Sequence, residues 1–211
     1  MKSPIKKVCL GILLFNIVSC QKELSIKQSA IQTVSSVNAG RNKAKDSSSF
    51  TTYTIREGKQ YCVGNRYPPY TTSAMYFTVK FDSSAIYTNQ LESNQHDYNK
   101  LFGFSDNNKD HHSFSARFGW RWLNNEVQLS AYTYNDGVRS IVDLGGIDMS
   151  KEHNCAIIVN GDHYDFVLDG DTTSVARTSK TPKASGYKLL PYFGGDEVAP
   201  HNITINIKEI K

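Results

Sequence analysis

The feature that most constrains the fold is a strict two-residue alternation of apolar and polar side chains, clearest at residues 113–122 (SFSARFGWRW). Successive side chains of a β-strand point to opposite faces, so one face of this segment would carry Phe114, Ala116, Phe118, Trp120 and Trp122. The opposite face would carry Ser113, Ser115, Arg117, Gly119 and Arg121. We therefore predict a strand with one face in a core and two arginines on the other.

Similar segments recur along most of the chain. AMYFTVKF, EVQLSAYTY and NITINIKEI alternate in the same way, and turn signals such as Asn-Asp-Gly and Asn-Gly separate neighbouring segments. About ten such strands at spacings of 8–12 residues, without a long amphipathic helix, indicate an antiparallel β-sandwich. Residues 51–211 are long enough to form one such domain.

The N-terminal region has the pattern of an export signal. A basic start and a short apolar segment are followed by Ile-Val-Ser-Cys20, which resembles the lipobox of bacterial lipoproteins. The resemblance implies a signal peptide at residues 1–19 and lipidation of Cys20 with fatty acyl groups such as palmitate. Gln21 then implies an outer-membrane lipoprotein of the bacterial cell envelope. Whether it faces the periplasm or the cell surface is left open. The alternative is an ordinary secretory signal with an incidental cysteine.

Composition separates a tether from the domain. Residues 20–50 are rich in Ser, Lys, Gln and Asn and lack aromatic residues before Phe50, so we predict a flexible tether after the lipidated cysteine. Residues 51–211 hold sixteen basic and eighteen acidic side chains. A domain so close to neutrality gives no basis for a nucleic-acid partner, and any attraction to an anion must be local.

The domain contains two cysteines, Cys62 and Cys155. Because an exported protein meets oxidising conditions, we predict a disulfide between them, which would stabilise the fold by ~4 kcal/mol on the chain-entropy model. The alternative is two separate buried thiols.

The order of the strands, the aromatic core and the closing segment LPYFGGDEVAPHNITINI (residues 190–207) resemble the concanavalin A-like lectin/glucanase jelly roll. The resemblance covers roughly residues 53–211. It implies a fold that hosts lectins, glycosidases, polysaccharide lyases and adhesion modules, with ligands lying across one sheet.

A candidate ligand-binding face follows from the alternation. EVQLSAYTY comes four residues after SFSARFGWRW, so the two segments should form a hairpin. Arginine binds carboxylate or sulfate bidentately, and tyrosine stacks on sugar rings. We predict a carbohydrate site made of Arg117, Arg121, Gln128, Tyr132 and Tyr134, with Tyr192 as a further stacking residue. The alternative is a solvated polar face with Arg–Asp pairs.

A resemblance to jelly-roll alginate lyases raises a second possibility. LSAYTYND is similar to their YFKAGxYNQ-like strand, which implies Tyr132 or Tyr134 as the acid/base and Arg117 or Arg121 as the group that neutralises a uronate carboxylate. The Arg-Thr-Glu-Leu-Arg and Gln-Ile-His motifs of these lyases are absent, so His112 or His201 would have to replace their histidine. The E-x-D-x-x-E strand of the related glucanases is also absent.

One loop has a spacing that could suit a metal. Asp106, Asn108 and Asp110 follow the D-x-N-x-D spacing of a calcium loop, but His111 replaces the required glycine and Arg117 the bidentate glutamate. A polar turn is the preferred interpretation, and no cofactor is expected.

These observations predict a membrane-anchored lipoprotein whose jelly roll binds a glycan, with an acidic polysaccharide as one candidate ligand. A polysaccharide lyase that uses the same face is the first alternative. A structural or assembly lipoprotein that is not an enzyme is the second.

Overall fold

The computed structural model describes residues 49–211. The predicted signal peptide, Cys20 and nearly all of the predicted tether lie outside these residues. Within them the chain forms twelve β-strands and two short 3₁₀ turns (Ser83–Ala85 and Glu92–His96). The strands are β1 Thr51–Ile55, β2 Pro69–Thr72, β3 Ala74–Phe81, β4 Asn99–Ser105, β5 Phe114–Leu123, β6 Glu126–Asn135, β7 Val138–Ile147, β8 His153–Asn160, β9 His163–Leu168, β10 Asp171–Ala176, β11 Ala184–Leu189 and β12 Ile203–Ile210.

Two six-stranded antiparallel sheets pack face to face. The front sheet has the order β2-β11-β4-β5-β6-β7, and the back sheet has the order β1-β12-β3-β8-β9-β10. Neighbours that are distant in sequence, such as β12 beside β3, produce the crossed connections of a jelly roll. The predicted all-β jelly-roll sandwich is therefore confirmed.

The core lies between the sheets and is rich in aromatic residues. Phe118 of the front sheet contacts Phe77 and Phe166 of the back sheet with ring centroids 5.6 and 5.2 Å apart. Trp120 is completely buried between Phe81 and Tyr87. The even-numbered residues of β5 thus point inward, which leaves its odd-numbered residues on the outer face of the front sheet.

The predicted disulfide is wrong. Cys62 and Cys155 are both buried, free thiols. Cys62 pairs with β1 at Ile55, whereas Cys155 lies on β8, and β1, β12 and β3 lie between the two cysteines. Four steps across the sheet at about 4.8 Å each separate them by roughly 19 Å. A disulfide needs Cα atoms within about 7 Å, so the second possibility, two separate thiols, applies.

None of the helical segments in residues 49–211 has the length or the hydropathy needed to span a bilayer.

Candidate functional site

A cleft of about 260 Å³ opens on the outer face of the front sheet. Its floor comes from β4 to β7, and its walls come from the loops after β1, β4 and β11. We call it the basic cleft. Its principal lining side chains are Tyr61, Tyr67, Lys100, His111, His112, Arg117, Tyr132, Tyr134, Arg139 and Tyr192.

The register of the hairpins sets the floor. Arg117 on β5 lies directly opposite Tyr132 on β6, as the alternation of both strands requires. Tyr134 lies opposite Arg139 across the next hairpin, whose turn residues Asp136 and Gly137 both have positive φ. This is the backbone of a tight two-residue turn, so the position of Arg139 follows from local sequence.

Arg117 is the central residue of the basic cleft. Its side chain is only 6% exposed, its Nε has no hydrogen-bond partner, and it forms no salt bridge with any residue in 49–211. Burial lowers its pKa to about 10, partly offset by Tyr132 and other tyrosines nearby. Within the described chain, no aspartate or glutamate lines this cleft. The guanidinium is thus a buried positive charge without a compensating anion.

Lys100 adds a second cation beside Arg117. Its Nζ donates to the carbonyl oxygen of Gly194 and lies 5.2 Å from the ring centroid of Tyr132 and 5.7 Å from that of Tyr192. Burial, followed by the charge of Arg117, lowers the pKa of Lys100 to about 8. The ammonium is therefore charged at neutral pH and loses its charge in mildly alkaline solution.

His111 is held uncharged at one end of the cleft. Its Nδ1 lies 2.8 Å from the hydroxyl of Tyr187, which also accepts from the His111 backbone N–H at 3.0 Å. Burial and the charge of Arg117 lower the pKa of His111 to about 4. A neutral ring stacked on Tyr67 at 6.0 Å serves as part of an aromatic wall rather than as a charge.

Aromatic side chains form the rest of the walls. Tyr192 pairs through its backbone with both Tyr61 and Lys100, and its ring meets that of Tyr61 edge-on at 4.9 Å. On the other side the rings of His112 and Tyr134 meet edge-on, with their centroids 5.6 Å apart. Cations on the floor and phenol rings on the walls give the cleft two complementary ways to hold a sugar: charge and stacking.

The structure brings together five of the residues predicted from sequence: Arg117, Tyr132, Tyr134, Tyr192 and His112. His201 is remote from them, because its Nε2 contacts the carbonyl oxygen of Ser84.

Arg121 and Gln128 share the predicted face but do not line the cleft. The Nε of Arg121 donates to Gln128 at 2.9 Å, and its guanidinium lies 3.4 Å from Asp143 and 4.2 Å from the ring centroid of Tyr98. Gln128 in turn donates to Glu126 at 2.8 Å. The Arg–Asp pairing that the sequence left open therefore applies at this end of the strand, and the ligand role predicted for these two residues has no geometric support.

The three side chains of the weak calcium candidate, Asp106, Asn108 and Asp110, form hydrogen bonds within the protein instead. Asp106 is fully buried and accepts from Tyr164 at 2.6 Å and from Arg177 at 2.9 Å. Asn108 accepts from Ser185, and Asp110 accepts from Ser113 within its own turn. In residues 49–211 no group of three or more His, Cys, Asp or Glu side chains is placed to hold a metal ion.

Sequence reasoning missed Lys100, Arg139, His111, Tyr67 and Tyr61 as lining residues. The pairing of β4 with β5 shifts register between Lys100 and Gly103, and both residues inside the shift, Leu101 and Phe102, are buried, so simple alternation cannot assign the face of Lys100. Arg139 lies opposite Tyr134 across a tight turn, so local sequence carried a signal for it. His111, Tyr67 and Tyr61 lie on loops, whose placement depends on the whole sandwich.

Comparison with known proteins supports the fold. No protein-family model matches the sequence, and no curated protein matches it significantly. Among solved structures, the alginate lyase AlyC3 is similar with a TM-score of 0.51 and 10% identity, over 76% of this chain and 74% of that chain. The PL7 alginate lyase AlyA1 from Zobellia galactanivorans has a TM-score of 0.46 and 12% identity, over 83% of this chain and 84% of that chain. The carbohydrate-binding module CBM66 from Bacillus subtilis has a TM-score of 0.41 and 11% identity, over 76% of this chain and 92% of that chain. At 10% identity, the likeness to AlyC3 establishes a concanavalin A-like jelly-roll fold alone.

Proposed function

We propose that the basic cleft binds an acidic polysaccharide, with a carboxylate or sulfate of the sugar chain on Arg117. The observation that carries the proposal is the burial of this guanidinium without an anionic partner in the described chain. Burying an unpaired charge costs several kcal/mol, and a bound anion would offset that cost. The planar guanidinium suits a bidentate oxyanion.

Further charges and rings of the cleft support the same ligand class. Lys100 and Arg139 add positive charge on either side of Arg117, although the domain as a whole is close to neutral. Tyr192 and Tyr134 offer ring faces or edges to a pyranose. AlyC3, an alginate lyase, shares the jelly-roll fold of this chain.

A glycan panel tests the proposal. Purified protein is titrated calorimetrically with oligouronates, sulfated oligosaccharides and neutral oligosaccharides of equal length. We expect saturable binding of acidic chains that weakens with salt, because exposed ionic attraction is screened. Lys80→Met is the matched control, since Lys80 is exposed on the back sheet and its loss changes net charge alone. Absence of acidic-glycan binding would favour the structural or assembly alternative.

Lyase activity is a second candidate, favoured by one further contact. The ring centroids of His112 and Tyr134 lie 5.6 Å apart inside the same cleft as Arg117. A proton acceptor and a proton donor thus lie beside a group that could neutralise a carboxylate. In β-elimination the base takes the C5 proton of a uronate, the C4–O bond breaks as a C4=C5 double bond forms, and the leaving oxygen gains a proton. Here His112 would accept the first proton and Tyr134 would donate the second.

The unsaturated product distinguishes the two candidates. It absorbs in the ultraviolet, whereas binding alone produces no new chromophore. Growing absorbance on a polyuronate, lost in His112→Ala and Tyr134→Phe, would establish a lyase. Saturable binding without absorbance growth would establish a binding protein.

We also propose that the protein is an outer-membrane lipoprotein anchored through Cys20, which the lipobox-like sequence supports. Metabolic labelling with a palmitate analogue tests this. Label in the wild type that disappears in Cys20→Ser supports the anchor, and equal label in both proteins contradicts it.

A further inference from the structure

A second cavity of about 360 Å³ lies at the tip of the β5–β6 hairpin. It is bounded by the segment before the second 3₁₀ turn and by the hairpin turn itself. Five of its lining residues carry side-chain amides, and one is a tryptophan: Asn89, Gln90, Gln95, Asn124, Asn125 and Trp122. We call it the amide pocket. None of its residues lines the basic cleft.

Most of these amides have unused hydrogen-bonding capacity. The side chains of Gln90, Asn124 and Asn125 are exposed at the rim and form no hydrogen bond with another residue in 49–211, so solvent occupies their donors and acceptors until a ligand replaces it. The Oδ1 atom of Asn89 is buried and also lacks a partner. Gln95 differs, because it accepts from the Asn89 backbone and donates to two carbonyl oxygens, which fixes the wall. The pocket thus combines a rigid frame with free donors and acceptors.

Trp122 supplies an apolar surface. It is only partly buried and packs against the hydrophobic core, whereas its neighbour Trp120 is fully enclosed. Its backbone N–H contacts the Tyr87 hydroxyl, and its carbonyl oxygen accepts from Gln95. The indole is therefore held at the pocket wall by contacts on its own backbone.

The charge of the amide pocket differs from that of the basic cleft. Glu92 is its sole charged lining residue in the described chain, and it is exposed. Amides donate and accept at once, as sugar hydroxyls do, and the apolar face of a sugar ring stacks on indole. We propose that the amide pocket is a second carbohydrate site, which binds a neutral oligosaccharide.

The two sites are spatially separate. Asn124 is seven residues beyond Arg117 along β5, a distance of roughly 24 Å in an extended strand. In addition, Trp122 belongs to the inward-facing set of β5, whereas Arg117 belongs to the outward-facing set. Binding at the amide pocket is therefore independent of the acidic ligand proposed for the basic cleft.

Intrinsic fluorescence tests the proposal, because the chain has only two tryptophans and one of them is completely buried. The purified protein is titrated with neutral hexasaccharides of glucose, xylose and mannose. We expect a saturable change in emission with at least one of them, together with protection of Trp122 from acrylamide quenching. Trp122→Phe should abolish the change while the signal of Trp120 reports an intact core.

A turn-preserving double variant tests the amides. Asn124 and Asn125 have φ of 56° and 62°, which glycine adopts without strain, so Asn124→Gly/Asn125→Gly keeps the hairpin and removes both amides. We expect binding to weaken at least tenfold, and we expect Arg117→Met to leave it unchanged. The proposal is overturned if no neutral hexasaccharide gives a saturable change, if the double variant binds as tightly as wild type, or if Arg117→Met abolishes the signal.

Discussion

Arg117→Met should weaken acidic-glycan binding and stabilise the free protein at the same time. Methionine fills much of the same volume without a charge, so packing beside the cross-strand neighbour Tyr132 is retained. The wild-type residue lowers stability because its charge is buried without a partner. Its pKa falls to about 10, and at 1.36 kcal/mol per pKa unit this corresponds to roughly 3 kcal/mol of unfavourable burial.

The size of each effect follows from this geometry. Removing the charge should raise the free energy of unfolding by about 1–3 kcal/mol, since apolar replacements of buried charges are often stabilising. Loss of a buried ionic hydrogen bond to the ligand should cost about 2–4 kcal/mol of binding, or roughly 30- to 1,000-fold in Kd. Urea unfolding measures the first quantity and calorimetric titration with an oligouronate measures the second. A variant that is less stable than wild type and binds the oligouronate equally well would show that Arg117 is neither a destabilising buried charge nor the anion-binding group.

Three further predictions follow from individual groups. Because the pKa of Lys100 is lowered to about 8, affinity for an oligouronate should decline severalfold as pH rises through 8, and Lys100→Met should bind with a flat pH profile in calorimetry. Asp106→Asn should destabilise the fold by about 3 kcal/mol in urea unfolding, because the buried Arg177 loses its counter-ion; an unchanged midpoint would contradict this role. Cys62 and Cys155 should react with an alkylating reagent in the absence of reductant only after the protein unfolds, because burial raises the pKa of both thiols. Peptide mass mapping measures the alkylation of each cysteine, and resistance in the unfolded protein would indicate a disulfide instead.

The stability contributed by Asp106 also has a defined pH dependence. Burial acts to raise its pKa, but hydrogen bonds from Tyr164 and Arg177 outweigh burial and hold the pKa below its ordinary value. A carboxyl group with a depressed folded-state pKa stabilises the fold above its unfolded-state pKa of about 3.9 and loses this contribution as pH falls through the folded-state value. The Asp106→Asn variant should therefore lose less stability than wild type on acidification below about pH 4.

Local pattern was sufficient to predict the central strands. The alternation of β5 and β6 and the short turn between them placed Arg117 and Tyr132 on one face, and the register confirms that they are cross-strand neighbours. Gly119 in the same strand has a local reason that the sequence does not reveal. A Cβ atom there would lie 2.5 Å from Ser130 Oγ and 3.2 Å from the Asn99 carbonyl oxygen, so any larger residue would require atoms of the neighbouring strands to shift.

Properties that depend on the order of the strands could not be predicted in this way. Asp143, which forms the ion pair with Arg121, lies on β7. Its position depends on a register shift in the pairing of β7 with β6, between Leu129 and Ser130. The wrong disulfide has a similar origin, because the sequence does not show how many strands separate Cys62 from Cys155. Pattern thus predicts which residues share a face, whereas non-local pairing decides which of them remain free to bind a ligand.

We propose that the basic cleft recognises the negative charge of a sugar chain through Arg117. The most direct measurement compares an oligouronate with its carboxyl-reduced form, which keeps the same rings and linkages but has no charge. We expect at least 30-fold tighter binding of the oligouronate by the wild-type protein and a much smaller difference in Arg117→Met. Equal affinity of the wild-type protein for the two oligosaccharides would contradict it.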